Sequence, residues 1–265
     1  ITGTLGIVLA IMIYFGVKEP PRGHGEPELA QLGEMAQYHF EWKIAADLFR
    51  KPSLILLYIQ GFFGVFPWNV ITYWFFAYLE KDRGYAENTI LITMVPAILI
   101  LAAGYPLGGA LGDLWFKRTP RGRAYISSIG VIIGAVLLYF TMNVPNQQTG
   151  LFMALLCATA LFIPFASPNV LSTVYDVTLP EVRSTANALL SFSESIGSAL
   201  APLIAGIIAD AFSLQSAILW ICLSAWALCF IFFLVTAYFV PRDVQVLRRQ
   251  MAQRAANEKA AAQAA

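Results

Sequence analysis

The sequence alternates between long apolar runs and short polar segments. Seven apolar runs lie at about 1–17, 52–79, 89–112, 124–142, 151–173, 186–212 and 215–240. A helix needs about 20 apolar residues to cross the hydrocarbon core of a bilayer, so six runs are long enough and the first is short. The pattern predicts an all-α membrane protein, a polytopic helical bundle whose six-helix transmembrane domain covers 52–240.

The first run and the polar segments complete this division of the chain. Residues 1–17 begin without a methionine and carry neither the basic stretch nor the cleavage site of a signal peptide. We therefore expect them to be the end of a truncated transmembrane helix, with N-terminal sequence missing. Residues 18–51 are predicted to form a cytoplasmic loop, in which 41–51 can lie as an interfacial helix. Residues 241–265 are predicted to form a cytoplasmic helical tail.

Composition and charge support this class and orient the protein. Hydrophobic residues make up 58% of the chain and charged residues 12%, whereas soluble domains carry about 25% charged residues. Fifteen of the 17 Lys and Arg residues lie in 18–51, 113–123, 174–185 and 241–265, and the alternate segments hold two. Because cytoplasmic loops carry the Lys and Arg excess, we predict an integral plasma or inner membrane protein with a cytoplasmic C-terminus. The net charge of +1 does not indicate a nucleic-acid partner.

Reactive and metal-binding side chains are few. Cys157, Cys222 and Cys229 all lie in apolar runs, which favours small buried residues over a disulfide framework. The two histidines, His24 and His39, lie in the predicted loop. No run shows the spacing of metal ligands or of a nucleophile with its base. The sequence therefore predicts no cofactor, no metal site and no enzymatic activity.

Polar residues are distributed unevenly among the runs. Runs 124–142 and 215–240 are almost free of them and are predicted to face lipid. Runs 52–79 and 151–173 combine polar side chains with helix-breaking residues, and such breaks are tolerated where the backbone is buried or lines a watery cavity. We expect interruptions at Gly61, Gly64 and Pro67 in the former and at Pro164 and Pro168 in the latter.

The polar faces of these two interrupted runs carry candidate substrate-binding residues. A step of about 100° per residue places Tyr58, Asn69, Thr72 and Tyr73 on one face of the first run, and the first, second and fourth are the binding candidates. Gln60 falls on the opposite face, and Asn169 lies on the comparable face of the second run. An aromatic and amide lining suits an amphipathic organic solute. The alternative is that the aromatic rings pack together and the amides bond to neighbouring helices.

A glycine stripe distinguishes run 89–112. Gly104, Gly108 and Gly112 follow one another at a spacing of four residues. Small residues at this spacing let two helices approach closely. We interpret the stripe as a packing face, and the alternative is a face on which two helices slide.

Glu194 is a carboxylate inside an apolar run. On a helical projection, Asn187, Ser191 and Ser198 lie within about 60° of one another around Glu194, and large apolar residues take the other side. At about 1.5 Å per residue it lies roughly 13 Å from the cytoplasmic end of its helix, where a charge must face protein or water. No run contains Lys or Arg, so the spans offer it no cation. We predict proton coupling or substrate contact, and the alternative is a neutral glutamic acid hydrogen-bonded to a serine.

The stretch GGALGDLWFKRTPRGR, 108–123, ends one of the apolar runs. It resembles the motif between paired helices of the major facilitator superfamily, in which a glycine, an aspartate four residues later and a basic pair close a tight turn. Leu114 and Phe116 depart from that motif, as in the weakened copies of C-terminal halves. The matching residues are Gly109, Asp113, Lys117 and Arg118.

Two further stretches resemble the same superfamily. LPEVRSTANAL, 179–189, is similar to the turn before the fifth and eleventh helices of the family, and Asp176 fits the acidic partner of that network. FGVKEPPRG, 15–23, resembles the end of the sixth helix and the start of the central loop, especially in Spinster-like members, which move lysolipids and sphingoid phosphates. The resemblance places this chain over helices six to twelve of twelve.

A gate charge cluster follows from these matches. Its charges lie at helix ends, where they can stabilise one gate conformation and separate in the other. The alternative is that they are ordinary charges at the membrane boundary. The predicted members are Asp113, Lys117, Arg118, Asp176 and Arg183.

The resemblance also implies two six-helix halves around a central cavity. The expected partners are the lipid bilayer, the missing N-terminal half and a small-molecule or lipid-like substrate. We predict secondary active transport of a small organic solute by alternating access, with this chain as one half. The alternatives are a non-transporting membrane assembly subunit and a membrane-embedded enzyme.

Overall fold

The computed structural model of the protein describes residues 2–16 and 46–264, which form helices joined by short connections and contain no strand. Most of the predicted loop 18–51 lies outside the described residues. Short turns occur at Asp47–Arg50, Ile163–Phe165 and Pro180–Val182, and a π-helical turn at Tyr78–Asp82. The helices are α1 (Thr2–Gly16), α2 (Pro52–Ala77), α3 (Glu87–Phe116), α4 (Gly122–Met142), α5 (Thr149–Phe162), α6 (Ala166–Asp176), α7 (Arg183–Ala211) and α8 (Leu214–Ala264).

Six helical stretches of the described chain are long and apolar enough to cross a membrane. Lipid offers no partner for backbone N–H and C=O groups, so apolar sequence of this length satisfies them within a helix. The predicted all-α membrane fold is confirmed. The stretches are Pro52–Asp82, Glu87–Phe116, Gly122–Met142, Thr149–Asp176, Pro180–Ala211 and Leu214–Asn257.

The two helices expected to be interrupted differ from each other. A turn at Ile163–Phe165 separates α5 from α6 and contains Pro164, as expected. The expected interruption of α2 is wrong, because this helix is continuous with Pro67 inside it. A proline removes one backbone hydrogen bond, which packing against neighbouring helices can offset in a membrane protein.

Helices α2 and α7 pack closely along their length. A Cβ added at Gly197 would overlap the carbonyl oxygen of Phe62, so only glycine allows this approach. Asn69 Nδ2 donates a hydrogen bond of 2.9 Å to Ser198 Oγ. Hydrogen bonds also run from Ser193 Oγ to the Tyr58 carbonyl and from Trp74 Nε1 to the Pro202 carbonyl.

The glycine stripe of α3 faces the broken helix α5–α6. A Cβ added at Gly108 would lie 2.5 Å from Phe165 Cα, and one added at Gly112 would overlap the Asn169 side chain. One added at Gly104 would overlap the Leu161 carbonyl. The stripe is therefore a packing face in this structure.

The chain divides into two compact units. One comprises Ile1–Tyr38 and Arg248–Ala265, and the other comprises His39–Leu247. The second unit holds the complete helices α2 to α7 and the first part of α8, and every site described below lies in it. Helix α8 continues through Pro241, so no helix end marks the predicted boundary between transmembrane domain and tail.

The second unit is called the six-helix unit below, because all six spans contribute to it. The loops at one end of this unit are joined by Asp82 and Arg83. Arg83 is only 6% exposed, and its guanidinium donates to the Val144 carbonyl at 3.0 Å and to the Pro145 carbonyl at 3.3 Å. Asp82 Oδ2 accepts a hydrogen bond of 3.2 Å from the backbone N–H of Gln215. Two adjacent residues thus connect the α2–α3 loop to two other helix ends.

Candidate functional site

A cavity of about 670 Å³ lies within the six-helix unit, and all six spans contribute to its wall. Small-molecule pockets typically measure roughly 300–1,000 Å³ and combine apolar walls with a few polar groups. Most of this wall is apolar and includes the aromatic rings of Trp68, Phe76 and Trp226. The described polar residues of the wall are Gln60, Thr72, Tyr105, Thr159, Ser167, Asn187 and Glu194.

Glu194 is the one charged residue on the described part of the wall. Its side chain is half-buried on α7 and lies against α2 at Gly61, where an added Cβ would be 3.3 Å from Glu194 Cγ and 3.7 Å from Oε1. Glycine at this position lets the Leu190 and Glu194 side chains lie close to α2, because an added Cβ would come within 2.8 Å of Leu190 Cδ1.

Serine hydroxyls near Glu194 bond to backbone carbonyls and not to the carboxylate. Ser193 Oγ donates to the Tyr58 carbonyl at 2.6 Å, and Ser195 Oγ donates to the Ser191 carbonyl at 2.7 Å. Within the described chain no hydrogen bond or ion pair reaches the Glu194 carboxylate. The geometry therefore leaves this carboxylate available to a ligand or a proton.

The three α2 residues predicted to bind substrate are not among the described residues that line the cavity. Tyr58 is 9% exposed and Tyr73 is 66% exposed. Asn69 is directed at α7, where it bonds to Ser198. Helix α2 presents to the cavity Gln60, which the helical projection places on the opposite face, and also Thr72, which the projection places on the predicted face. Substrate binding by Tyr58, Asn69 and Tyr73 stays a prediction.

Asn169, the fourth predicted substrate residue, lies in a contact between α3 and α6. It is 1% exposed, and its Nδ2 donates to the Gly108 carbonyl at 2.9 Å and to the Phe165 carbonyl at 2.7 Å. This geometry corresponds to an amide bonding to a neighbouring helix. A direct role in substrate binding stays a prediction.

Six of the seven described polar residues of the wall were not predicted as site residues, among them Asn187 and Gln60. Asn187 shares the polar stripe of Glu194 on the helical projection, and that stripe was the signal that could have found it. Gln60 donates to Cys229 Sγ at 3.6 Å. No local signal identified Gln60, because the face that meets the cavity depends on which helices surround α2.

A charge cluster joins the adjacent ends of α3, α4 and α6. Arg123 Nη2 lies 2.7 Å from Asp113 Oδ1, and Arg123 Nη1 pairs with Asp176 Oδ2. The guanidinium carbon lies 4.2 Å from the centre of the Phe116 ring, and the arginine side chain is 13% exposed. The two predicted aspartates are thus brought together by an arginine that the motif comparison missed.

The other predicted members of the cluster are placed differently. Lys117 and Arg118 are exposed and make no ion pair within the part of the chain that the structure describes. Arg183 Nη2 donates to the Tyr175 carbonyl at 3.3 Å. The bridging cation is Arg123 and not Arg118, because Arg123 lies on the first turn of α4, next to the end of α6.

A second charged contact lies where α2 begins. Asp243 is 5% exposed, and its Oδ2 accepts hydrogen bonds from the Ser53 hydroxyl and from the Ser53 N–H, the latter at 3.2 Å. Lys51 Nζ donates to the Val177 carbonyl. Burial lowers the pKa of Lys51, while Asp243 and Asp47 act in the opposite direction. This contact ties the start of α2 to α8 and to the end of α6.

Comparison with known proteins identifies the family. The model of the Major Facilitator Superfamily matches residues 1–146 and 121–262, which together cover nearly the whole chain. The chain belongs to the major facilitator superfamily. This superfamily consists of transporters, and the matches described here indicate no catalytic family.

Spinster proteins are among the superfamily members that the chain resembles. Protein spinster homolog 1 of Xenopus tropicalis is 26% identical over 274 residues, which cover 92% of this chain and 50% of that protein. The Xenopus laevis protein of the same name is 27% identical over 281 residues, with the same coverages. Major facilitator superfamily domain-containing protein 8 of Xenopus laevis is 26% identical over 153 residues, covering 57% of this chain and 29% of that protein. The chain spans about half the length of its two Spinster relatives.

A solved structure confirms the superfamily fold. It is the crystal structure of a bacterial homolog to the human lysosomal transporter Spinster, in an inward-facing and unoccupied conformation. The match has a TM-score of 0.56 and 19% identity, and it covers 92% of this chain and 57% of that chain. At this identity the likeness concerns the fold alone.

Proposed function

We propose that this chain is the C-terminal half of a secondary active transporter that moves a small amphipathic or lipid-like solute by alternating access. The main support is the cavity of about 670 Å³, which has a largely apolar wall and one carboxylate, Glu194, on its described part. Membership of a transporter superfamily and similarity to Spinster proteins also support it.

A second six-helix half is part of this proposal. The spans Pro180–Ala211 and Glu87–Phe116 have the smallest buried shares, 17% and 22%, and both contribute to the cavity wall. Their uncovered surfaces suit contact with another half across a central pathway. The charge pattern supports a cytoplasmic C-terminus, and the proposed location is a plasma or inner membrane.

Glu194 is the proposed site of proton coupling or substrate contact. A charge near the centre of a transmembrane helix costs about 2.5–3.5 kcal/mol on insertion scales, and such residues usually face a bundle interior or a watery cavity. Within the described residues this carboxylate has no cation to offset that cost. A proton or a ligand can therefore neutralise it during a transport cycle.

Flux measurements on the full-length gene product in proteoliposomes test this role. We expect Glu194→Gln to reduce solute uptake driven by a proton gradient by about tenfold or more, in the range usual for lost proton-transfer groups. Asp210→Asn is the matched control, because Asp210 is an exposed carboxylate of the same helix away from the cavity wall. Unchanged uptake in Glu194→Gln would argue against the assignment, and absence of any flux in the wild type would favour an assembly subunit.

The four substrate candidates predicted from sequence belong in the same assay. Substitution of a substrate contact raises KM without lowering protein stability, whereas substitution of a packing residue lowers stability first. The geometry favours packing for Asn69 and Asn169, since their amides bond to neighbouring helices. Tyr58 and Tyr73 remain candidates through their aromatic surfaces.

A further inference from the structure

The described part of the cavity wall carries a negative charge and no positive charge. Glu194 supplies a negative charge, and the described part of the wall contains no Lys, Arg or His. The carboxylate also lacks a hydrogen-bond donor among the described residues. A buried or half-buried charge is normally paired, and what enters the cavity can supply the partner that the described residues do not provide.

Three buried or half-buried cations among the described residues of the six-helix unit are held away from this wall. Arg123 is paired with two aspartates, Arg83 is directed at backbone carbonyls, and Lys51 is bonded to the Val177 carbonyl. Each of these contacts lies outside the cavity lining. These three cations therefore do not compensate the charge of Glu194.

Aromatic rings add a second feature that favours a cation. Trp68 and Phe76 line the cavity with 48% and 47% of their surfaces exposed, whereas Trp226 on the same wall is 3% exposed. The faces of aromatic rings attract ammonium and quaternary ammonium groups. The same rings give an apolar tail a surface to bury.

We infer that the cavity prefers solutes with a positively charged head, an amine or quaternary ammonium, on an apolar tail. This selectivity rests on the proposed transport function, because it describes the solute of the same cavity. Glu194 neutralises the head, and the aromatic and aliphatic wall covers the tail. A solute with an anionic head meets repulsion from the carboxylate, and a neutral solute leaves the carboxylate unpaired.

Three probes with apolar tails of nearly equal length test the charge of the head, namely decyltrimethylammonium, decanol and decanoate. Binding is measured by titration calorimetry on the full-length protein in lipid nanodiscs, with empty nanodiscs subtracted. We expect the cation to bind roughly tenfold or more tightly than decanol, and decanoate to bind most weakly. Glu194→Gln should bring the cation and decanol to similar affinities, whereas Asp210→Asn should keep the wild-type order.

Several results would overturn this inference. They are equal affinities in the wild type, a preference for decanoate, a cation preference that persists in Glu194→Gln, or no saturable binding of any probe. Glu194→Asp keeps the charge and should retain part of the preference, which separates loss of charge from misfolding. Calorimetry and flux are independent measurements. If proton-driven uptake is intact but the protein shows no preference for the cation, only the proposed selectivity is rejected. If the cation binds but no flux is measured, only the proposed transport is rejected.

Discussion

Gly112 determines how closely α3 approaches α6. An added Cβ would overlap the Asn169 amide, and the same amide donates to the Gly108 carbonyl one turn away. Close approach and interhelical hydrogen bonding therefore depend on each other at this point, as is usual where small residues line a membrane helix contact.

Gly112→Ala should destabilise the protein. Inserting a methyl group into a filled contact costs about 1–3 kcal/mol, so we expect a lower thermal unfolding midpoint of the full-length protein in detergent. Gly150→Ala is the control, because an added Cβ there meets nothing within 4 Å. Equal unfolding midpoints for the two variants would mean that α3 can move away from α6 without a loss of stability.

Helices α4 and α8 are connected by charges in the α2–α3 loop. Asp82 accepts from the backbone at the start of α8, and Arg83 donates to carbonyls just after the end of α4. A negative group at a helix start and a positive group at a helix end complement the helix dipoles. The Arg83 guanidinium also stacks 3.9 Å from the centre of the Phe152 ring.

Arg83→Met should loosen this end of the bundle. It removes charged hydrogen bonds worth about 1.5–3 kcal/mol each and leaves buried carbonyls without partners. We expect a lower unfolding midpoint and faster hydrogen exchange in the loop that contains Val144 and Pro145. Lys81→Met is the control, because Lys81 is exposed on the same loop. Similar exchange in the two variants would show that Arg83 does not hold the loops.

The Arg123 cluster bears on how the proposed transporter would change conformation. Its three charged residues come from α3, α4 and α6, so it holds together helices of one half. Alternating access requires the ends of such helices to open and close against the other half. Breaking the cluster should therefore favour opening on its own side, which the charge pattern predicts to be cytoplasmic.

Arg123→Gln tests this role in the full-length protein. Ser167 is exposed on the cavity wall, and Ser167→Cys in a background without the native cysteines reports access to a membrane-impermeant maleimide. We expect labelling from the cytoplasmic side to rise about fivefold or more, the usual range of a conformational coupling. Arg118→Gln, the exposed control, should leave labelling unchanged. The same labelling in both variants would contradict a gate role for the cluster.

Local properties explain which features could be predicted from the sequence. The length of each apolar run determines how many helices can span a membrane, and this count needs no knowledge of neighbours. The helical period places Asn187 and Glu194 on one stripe, and the structure puts both on the cavity wall. The glycine spacing indicated a close helix contact, and Pro164 indicated a break.

Contacts between helices could not be predicted from the sequence in the same way. The period groups Tyr58, Asn69 and Tyr73 on one face of α2, but it cannot say whether that face meets the cavity or α7. Arg123 and Asp176 are 53 positions apart, and only the packing of α4 beside α6 brings them together. Thus apolar length and periodicity, which are properties of each segment, determined the class, the spans and the carboxylate stripe. Helix packing, which depends on all segments at once, decided the cavity wall and the ion pairs.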